Sequence, residues 1–229
     1  MIDITHHDDT ALLRLMQLVS PALPVGAYAY SQGMEYAVHA AWLRDEASVE
    51  SWVLGLLQQL MSRVDVPVFA RLYRAWIAED EEALSHWNAY LRACRESREL
   101  QEEDRQIGRA LARLLRDLNV PEAAPWIEHP AAGFAVLFAL AAARWHVPLR
   151  AAAQGYLWSW AENQVAAAIK LVPLGQTAGQ RILSRACEAI PVAVSRGLEL
   201  EEEQIGFVAQ RLVVGSALHE HQYSRLFRS

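Results

Sequence analysis

The sequence predicts an all-α fold: a compact multi-helix single domain, taken as residues 1–229. Three observations carry that reading. Apolar residues recur at helical spacing, as in Val49, Trp52, Val53, Leu56, Leu57, Leu60 and Met61. Alternating β-branched strands and Asn-Gly or Asp-Gly hairpins are absent. No Gly/Ser-rich or Pro-rich linker divides the 229 residues, and their 53% hydrophobic content is enough for one sizeable core.

Residues 1–10 are polar and expected to be loose. Apolar residues at 12, 15, 16 and 19 form a short helix that Pro21 stops. The stretch Ser20–Tyr36 organises the rest of the chain. Pro21 and Pro24 break the backbone, Gly26 accommodates unusual angles, and from about Ala27 the pattern is helical. On that helix Tyr28, Gln32, Glu35 and His39 share a polar and aromatic stripe, opposite Tyr30, Met34, Ala37 and Ala41. Asp45 or Ser48 caps the next helix. Asp65 and Pro67 mark a new start, with Val68, Phe69, Leu72, Tyr73 and Trp76 inward. The acidic cluster Glu79–Glu82 opens a further helix, where the dipole favours negative charge. That helix becomes densely charged from Arg92 to Arg105 and regains an apolar pattern at Ile107, Leu111, Leu114, Leu115 and Leu118. Pro121, Pro125 and Pro130 punctuate a loop before a buried helix from Ala131. Pro148 opens an Ala-rich helix to about Leu171. The next runs from about Gly175 to Ile190, stopped by Pro191, and the last begins in the acidic run Glu199–Glu203.

The net charge of −6 argues against a protein that tracks nucleic-acid phosphates. The longest apolar run, Ala131 to Ala143, is too short to span a bilayer. Asp3, Asp8 and Asp9 stand where a secretory signal would need a basic region. Cys94 and Cys187 lie far apart and outside any CxxC spacing, which fits free thiols in the reducing cytoplasm. No GxxxxGK[ST] phosphate loop and no HExxH are present.

Several residues are candidates for contact. Lys170, the only lysine, stands at a helix C-terminus, where the dipole favours a cation and where it can also meet an acidic partner. Gln176 and Gln180 extend that polar feature. The Arg92–Arg105 segment reads by default as a surface helix laced with weak ion pairs. The tail from residue 216 keeps Tyr223, Leu226 and Phe227 between Arg225 and Arg228, an apolar-plus-arginine composition suited to docking on its own core or on another protein. His219 and His221 are two residues apart, a poor spacing for one metal on a helix, and His6-His7 is a weaker pair still.

Four blocks together resemble the urease accessory protein UreF family. They are Ser20-Pro-Ala-Leu-Pro-Val-Gly26 with Ser31-Gln-Gly-Met-Glu35, Arg95-Glu-Ser-Arg-Glu99 with Glu103-Asp-Arg105, Lys170-Leu-Val-Pro-Leu-Gly-Gln-Thr177 with Gly179-Gln180, and Ser224-Arg-Leu-Phe-Arg-Ser229. Met34 departs from the usual Leu and His221 from a common Thr. The resemblance implies a cytoplasmic all-helical homodimer that catalyses nothing and has no cofactor of its own. It would bridge the accessory protein UreD (UreH) and the GTPase UreG on or near apo-urease, coupling GTP hydrolysis to nickel insertion while its partners handle nickel and GTP. Carried over by position, Tyr28, Ser31, Gln32, Glu35, Lys170 and Gln176 would face the GTPase. His219, Gln222, Tyr223, Arg225, Leu226, Phe227 and Arg228 would belong to a UreD-facing tail, ordered on binding. Competing readings are an arginine inserted into the GTPase, a nickel carrier through His219 and His221, and an enzyme using Glu35 with His39 as an acid–base pair, for which no nucleophile or cofactor is evident.

Overall fold

The computed structural model describes residues 6–229, with side chains described from Thr10 onward. In order, the helices are α1 (His6–Leu18), α2 (Met34–His39), α3 (Glu46–Leu56), α4 (Val66–Ala78), α5 (Glu81–Ala93), α6 (Arg98–Asp117), α7 (Phe134–Arg144), α8 (Leu149–Leu171), α9 (Gln176–Leu198) and α10 (Gln210–His219). Among the described residues there is no strand, as the apolar periodicity predicts. Of the N-terminal stretch expected to be loose, residues 1–5 lie outside the described residues, and from His6 the backbone is helical.

Helix α7 is the innermost element: every residue from Ala135 to Ala142 is buried, and α4, α6 and α8 lie against it. Its carbonyls also anchor α4, because the Trp76 indole N–H donates to the Val136 oxygen at 2.8 Å. Aromatic rings fill the centre, with Phe69 stacked on Tyr156 (centroids 5.2 Å apart) and edge-on to Phe138 (5.9 Å). Helix α9 covers α8, α3 and α4, and Gly197 lets it come close enough that an added Cβ would meet Val66 at 2.6 Å.

Four expected boundaries differ, each for a local reason. The opening stretch is not one helix. A 3-10 turn (Ala27–Ala29) is followed by extended backbone, then by Gln32 and Gly33 at φ 54° and 75°, and only then by α2. Gly33 lies against the α10 backbone, where an added Cβ would be 2.7 Å from the Ser216 nitrogen, so tertiary contact overrides helical continuity. Asp65 and Pro67 do not start a helix. A π-helical segment (Leu57–Asp65) joins α3 to α4, and its wider turn, with Val66 N–H donating to the Met61 oxygen, absorbs the amide that Pro67 lacks. Pro191 does not stop α9, which continues to Leu198; Pro191 and Cys187 are both exposed, so water can satisfy the carbonyl the proline leaves free. The acidic run Glu199–Glu203 is not a helix start: Glu199 caps the end of α9, Glu202–Gln204 form a short 3-10 turn, and α10 begins at Gln210.

The charged segment is corrected most. It is not one surface helix: α5 ends at Ala93, the chain breaks at residues 94–96, and the Ser97 hydroxyl caps α6 by accepting Leu100 N–H at 3.1 Å. Arg95 and Glu103 then point inward. Both cysteines are free, as their spacing predicts.

Candidate functional site

The sequence after α10 turns back across the start of the molecule. Arg228 N–H donates to the Ala29 carbonyl at 2.8 Å, and the Ser229 carbonyl accepts from Ser31 N–H (2.8 Å) and the Ser31 hydroxyl (2.5 Å). The break before α2 makes this possible. It exposes the peptide groups of Ala29 and Ser31 as edge donors and acceptors, whereas a continuous helix would have used them internally.

Glu35 is the anchor. Seated in the first turn of α2, its carboxylate accepts Leu226 N–H (2.7 Å) and Phe227 N–H (2.8 Å), and lies 3.2 Å from His219 Nε2. The other imidazole nitrogen, Nδ1, is 2.7 Å from Glu99, which also receives the Arg225 guanidinium at 2.8 Å. His219 is completely buried. Two residues of the supposed tail, Ser216 and His219, therefore belong to the core face of α10. Glu35 directs its carboxylate to the tail while His39 is exposed, so the acid–base pairing considered for them is not formed.

A second layer lies beneath. Glu103 accepts the Ser229 hydroxyl (2.6 Å) and the Gln32 amide (2.7 Å), and the Gln32 oxygen accepts the Trp160 indole N–H at 2.7 Å. Burial pushes the Glu103 pKa up to about 7, against the pull of its hydrogen bonds from Ser229 and Gln32. Behind it Asp65 accepts from Arg95 (2.5 Å) and from the Tyr156 hydroxyl (3.2 Å), while Phe134 N–H donates to Asp104 at 3.0 Å. Burial alone disfavours the Arg95 charge, yet Asp65 holds its pKa well above the usual arginine value; burial raises Asp104. Asp65, Arg95, Glu103 and Asp104 line a cavity of about 190 Å³ together with Leu18, Val19, Pro21, Leu23 and Tyr28. With its guanidinium committed to Asp65, Arg95 is not available to enter a partner.

The sequence-predicted residues thus fall into two groups. Ser31, Gln32, Glu35, His219, Arg225, Leu226 and Phe227 come together in this network. Lys170 joins them, its Nζ 5.7 Å over the Phe227 ring although the residue is exposed. Tyr28 (71% exposed), Tyr223 (fully exposed), Leu226 (67%) and Arg228 present side chains to solvent around it. Gln222 is half-buried with its amide oxygen unpaired. Gln176 stands exposed at the first residue of α9 and shares no hydrogen bond with the group. As for metal, His221 is exposed, both nitrogens of His219 face carboxylates, and no set of three His, Cys, Asp or Glu among the described residues could hold an ion. The side chains of His6 and His7 lie outside the described ones.

Sequence reasoning missed Asp65, Arg95, Glu99, Glu103 and Ser229 as members. One signal was present: Glu103 falls on the same helical stripe as Leu100, Ile107 and Leu111, and a carboxylate on an apolar stripe needs partners.

No helix among the described residues is long and apolar enough to cross a membrane. The UreF family model matches residues 43–187, more than half of the chain. The chain is 57% identical over 216 residues to the urease accessory protein UreF of Alkalilimnicola ehrlichii, covering 94% of this chain and 95% of that one. It is 48% identical to the UreF proteins of Hahella chejuensis (96% and 98% covered) and Chromohalobacter salexigens (99% and 98%). With its fold, tail and network in place, the chain belongs to the UreF family of urease accessory proteins.

Proposed function

We propose that this protein is a cytoplasmic, homodimeric, non-catalytic urease maturation chaperone. It bridges UreD (UreH) and the GTPase UreG and couples GTP hydrolysis to nickel insertion into apo-urease. Nickel and GTP are handled by those partners. Family membership supports the role in urease maturation. The adaptor reading is supported chiefly by the shared anchoring of both faces: Glu35 and Lys170, assigned to the GTPase, hold the backbone and ring of the tail assigned to UreD. Around that anchor Tyr28, Tyr223, Leu226 and Arg228 remain exposed, the aromatic, apolar and arginine composition that interface anchors use.

Light scattering on size-exclusion eluates tests this with the protein, UreD and UreG alone and mixed, comparing full-length protein with a chain ending at Gln222. The cut leaves α10, whose Ser216 and His219 are buried, intact. A dimer that joins UreD only with the tail present, and UreG in the resulting complex, supports the reading. Full-length protein that stays apart from both partners overturns it.

A further inference from the structure

The cavity behind the tail network is large enough to hold more than water. At about 190 Å³ it exceeds the volume of about 150 Å³ at which an engineered protein cavity admits benzene, so a guest slightly larger than that ring has room. Solvent reaches it: Pro21, Tyr28, Glu96 and Ala166 on its wall are exposed, whereas Leu18, Asp65 and Tyr156 are buried. Aliphatic side chains such as Leu23, Leu60 and Ile107 share the wall with the rings of Tyr28, Phe134, Tyr156 and Trp160. Phe134 and Tyr156 are stacked, with centroids 6.0 Å apart.

The ionisable groups on this wall do not balance. Asp65, Glu96, Glu103, Asp104 and Glu162 face a single cationic group, Arg95. Arg95 neutralises Asp65, Glu103 takes hydrogen bonds from Ser229 and Gln32, and Asp104 accepts Phe134 N–H. Glu162 has no such partner. It is half-buried, yet among the described residues it makes no hydrogen bond and no ion pair, and burial raises its pKa. A carboxylate stripped of part of its water and given no donor is stabilised by a cation that comes within reach. Ser159, Glu162, Asn163 and Ala166 all lie on the cavity wall, at the i, i+3, i+4 and i+7 spacing of one face of α8. No three His, Cys, Asp or Glu among the described residues are placed to hold a metal ion. An organic cation asks for less: one counter-charge, an aromatic face and an apolar wall.

We propose that this cavity is a binding site for a small organic monocation, a primary ammonium or guanidinium carried on an aromatic or alkyl body. Glu162 supplies the counter-charge, and the rings and aliphatic side chains of the wall enclose the body. Such a site is independent of UreD and UreG, so the chain alone tests it and its failure leaves the partner assignments untouched.

Three probes share one ring and differ in charge: benzylammonium, benzyl alcohol and benzoate. Saturation-transfer NMR titrations on the full-length protein at neutral pH measure each dissociation constant. Benzylammonium should bind saturably, at least about tenfold tighter than benzyl alcohol, with benzoate weakest. Glu162→Gln should weaken benzylammonium about fivefold and leave benzyl alcohol unchanged, which removes most of the preference for charge. Ala166→Trp, which places a large side chain at the exposed end of the wall, should weaken both. Circular dichroism checks that each variant keeps its helicity, and the comparison of the three probes on the unaltered protein stands without the variants. Equal binding of all three probes, a preference for benzoate, or no saturation below about 10 mM benzylammonium would overturn the proposal. So would benzylammonium binding that neither substitution in a folded variant changes, because the probe would then sit elsewhere on the surface.

Discussion

Replacing Glu35 with Gln isolates the anchor of the C-terminal segment. The wild-type carboxylate accepts two backbone amides, at 2.7 Å and 2.8 Å, and adjoins the His219 ring. Glutamine keeps one acceptor oxygen and turns an NH₂ group toward an amide that has no other partner. One hydrogen bond to a charged group, worth about 1.5–3 kcal/mol, is lost, and the remaining one is weakened on loss of the charge. Docking should weaken by about 3 kcal/mol, which is about a hundredfold in the open population. Trypsin cleavage after Arg225 reads that population directly while opening and reclosing outpace cleavage. Cleavage in Glu35→Gln should therefore be about a hundredfold faster, at unchanged helicity. Glu102→Gln is the control, since its carboxylate meets only Arg105 and Gln106 at the surface. Equal cleavage of Glu35→Gln and wild type would refute the anchor and the reading of α2 that depends on it.

Other perturbations probe the layers below. Asp65→Asn strands the Arg95 charge in the interior and should cost about 3–5 kcal/mol, visible as a large fall in thermal midpoint. Gly33→Ala and Gly26→Ala both place a side chain at positive φ, but only Gly33 faces backbone, with the Ser216 nitrogen 2.7 Å from the new Cβ. Urea denaturation should show Gly26→Ala costing about 1 kcal/mol and Gly33→Ala clearly more. Glu103, with a folded pKa of about 7 against 4.5 in the unfolded chain, lets the folded state hold a proton the unfolded chain has lost. Stability is therefore greatest below the unfolded value and falls as pH rises through about 7, by up to about 3 kcal/mol. Glu103→Gln should remove that part of the difference between denaturation at low and high pH. Lys170→Ala should leave the tail docked, since one exposed cation–π contact contributes only about 0.5–1 kcal/mol, yet abolish association with the GTPase in the light-scattering assay.

The helices legible in the sequence are those whose stability comes from their own amphipathic pattern. α4 shows the rule, with Val68, Phe69, Leu72, Tyr73 and Trp76 buried on one face, whereas α8 is legible by punctuation, bracketed by Pro148 and Pro173. The misplaced boundaries share the opposite property. Proline at 67 and at 191 reads as a stop only when the helix must satisfy every amide in one register. A π-helical turn removes that requirement at Pro67, and solvent removes it at Cys187, and neither escape leaves a mark in local composition. Gly33 is the converse case. The motif Ser-Gln-Gly-Met-Glu reads as helix by periodicity, but the backbone of Gly215 and Ser216, near the other end of the chain, fixes the glycine, and a one-chain pattern holds no trace of that contact.

The site divides along the same line. Lys170, Glu35 and the tail were each legible as polar or aromatic features without a partner. What the sequence could not supply was that they are partners of one another, because backbone amides of Leu226 and Phe227 carry the link and backbone amides have no residue identity. The charged segment failed for a related reason. Counting i,i+4 pairs between Arg92 and Arg105 assumes one solvated helix, whereas the break before Ser97 re-aims Arg95 and Glu103 inward, and the surface ion pair that does form in the segment, Glu102 with Arg105, is spaced i,i+3. A carboxylate on an apolar stripe was the available warning. Glu103 occupies an apolar position because the chain brings it the Ser229 hydroxyl and the Gln32 amide, so the residue that looked least like surface is the one that ties the last residue of the tail to the start of the molecule.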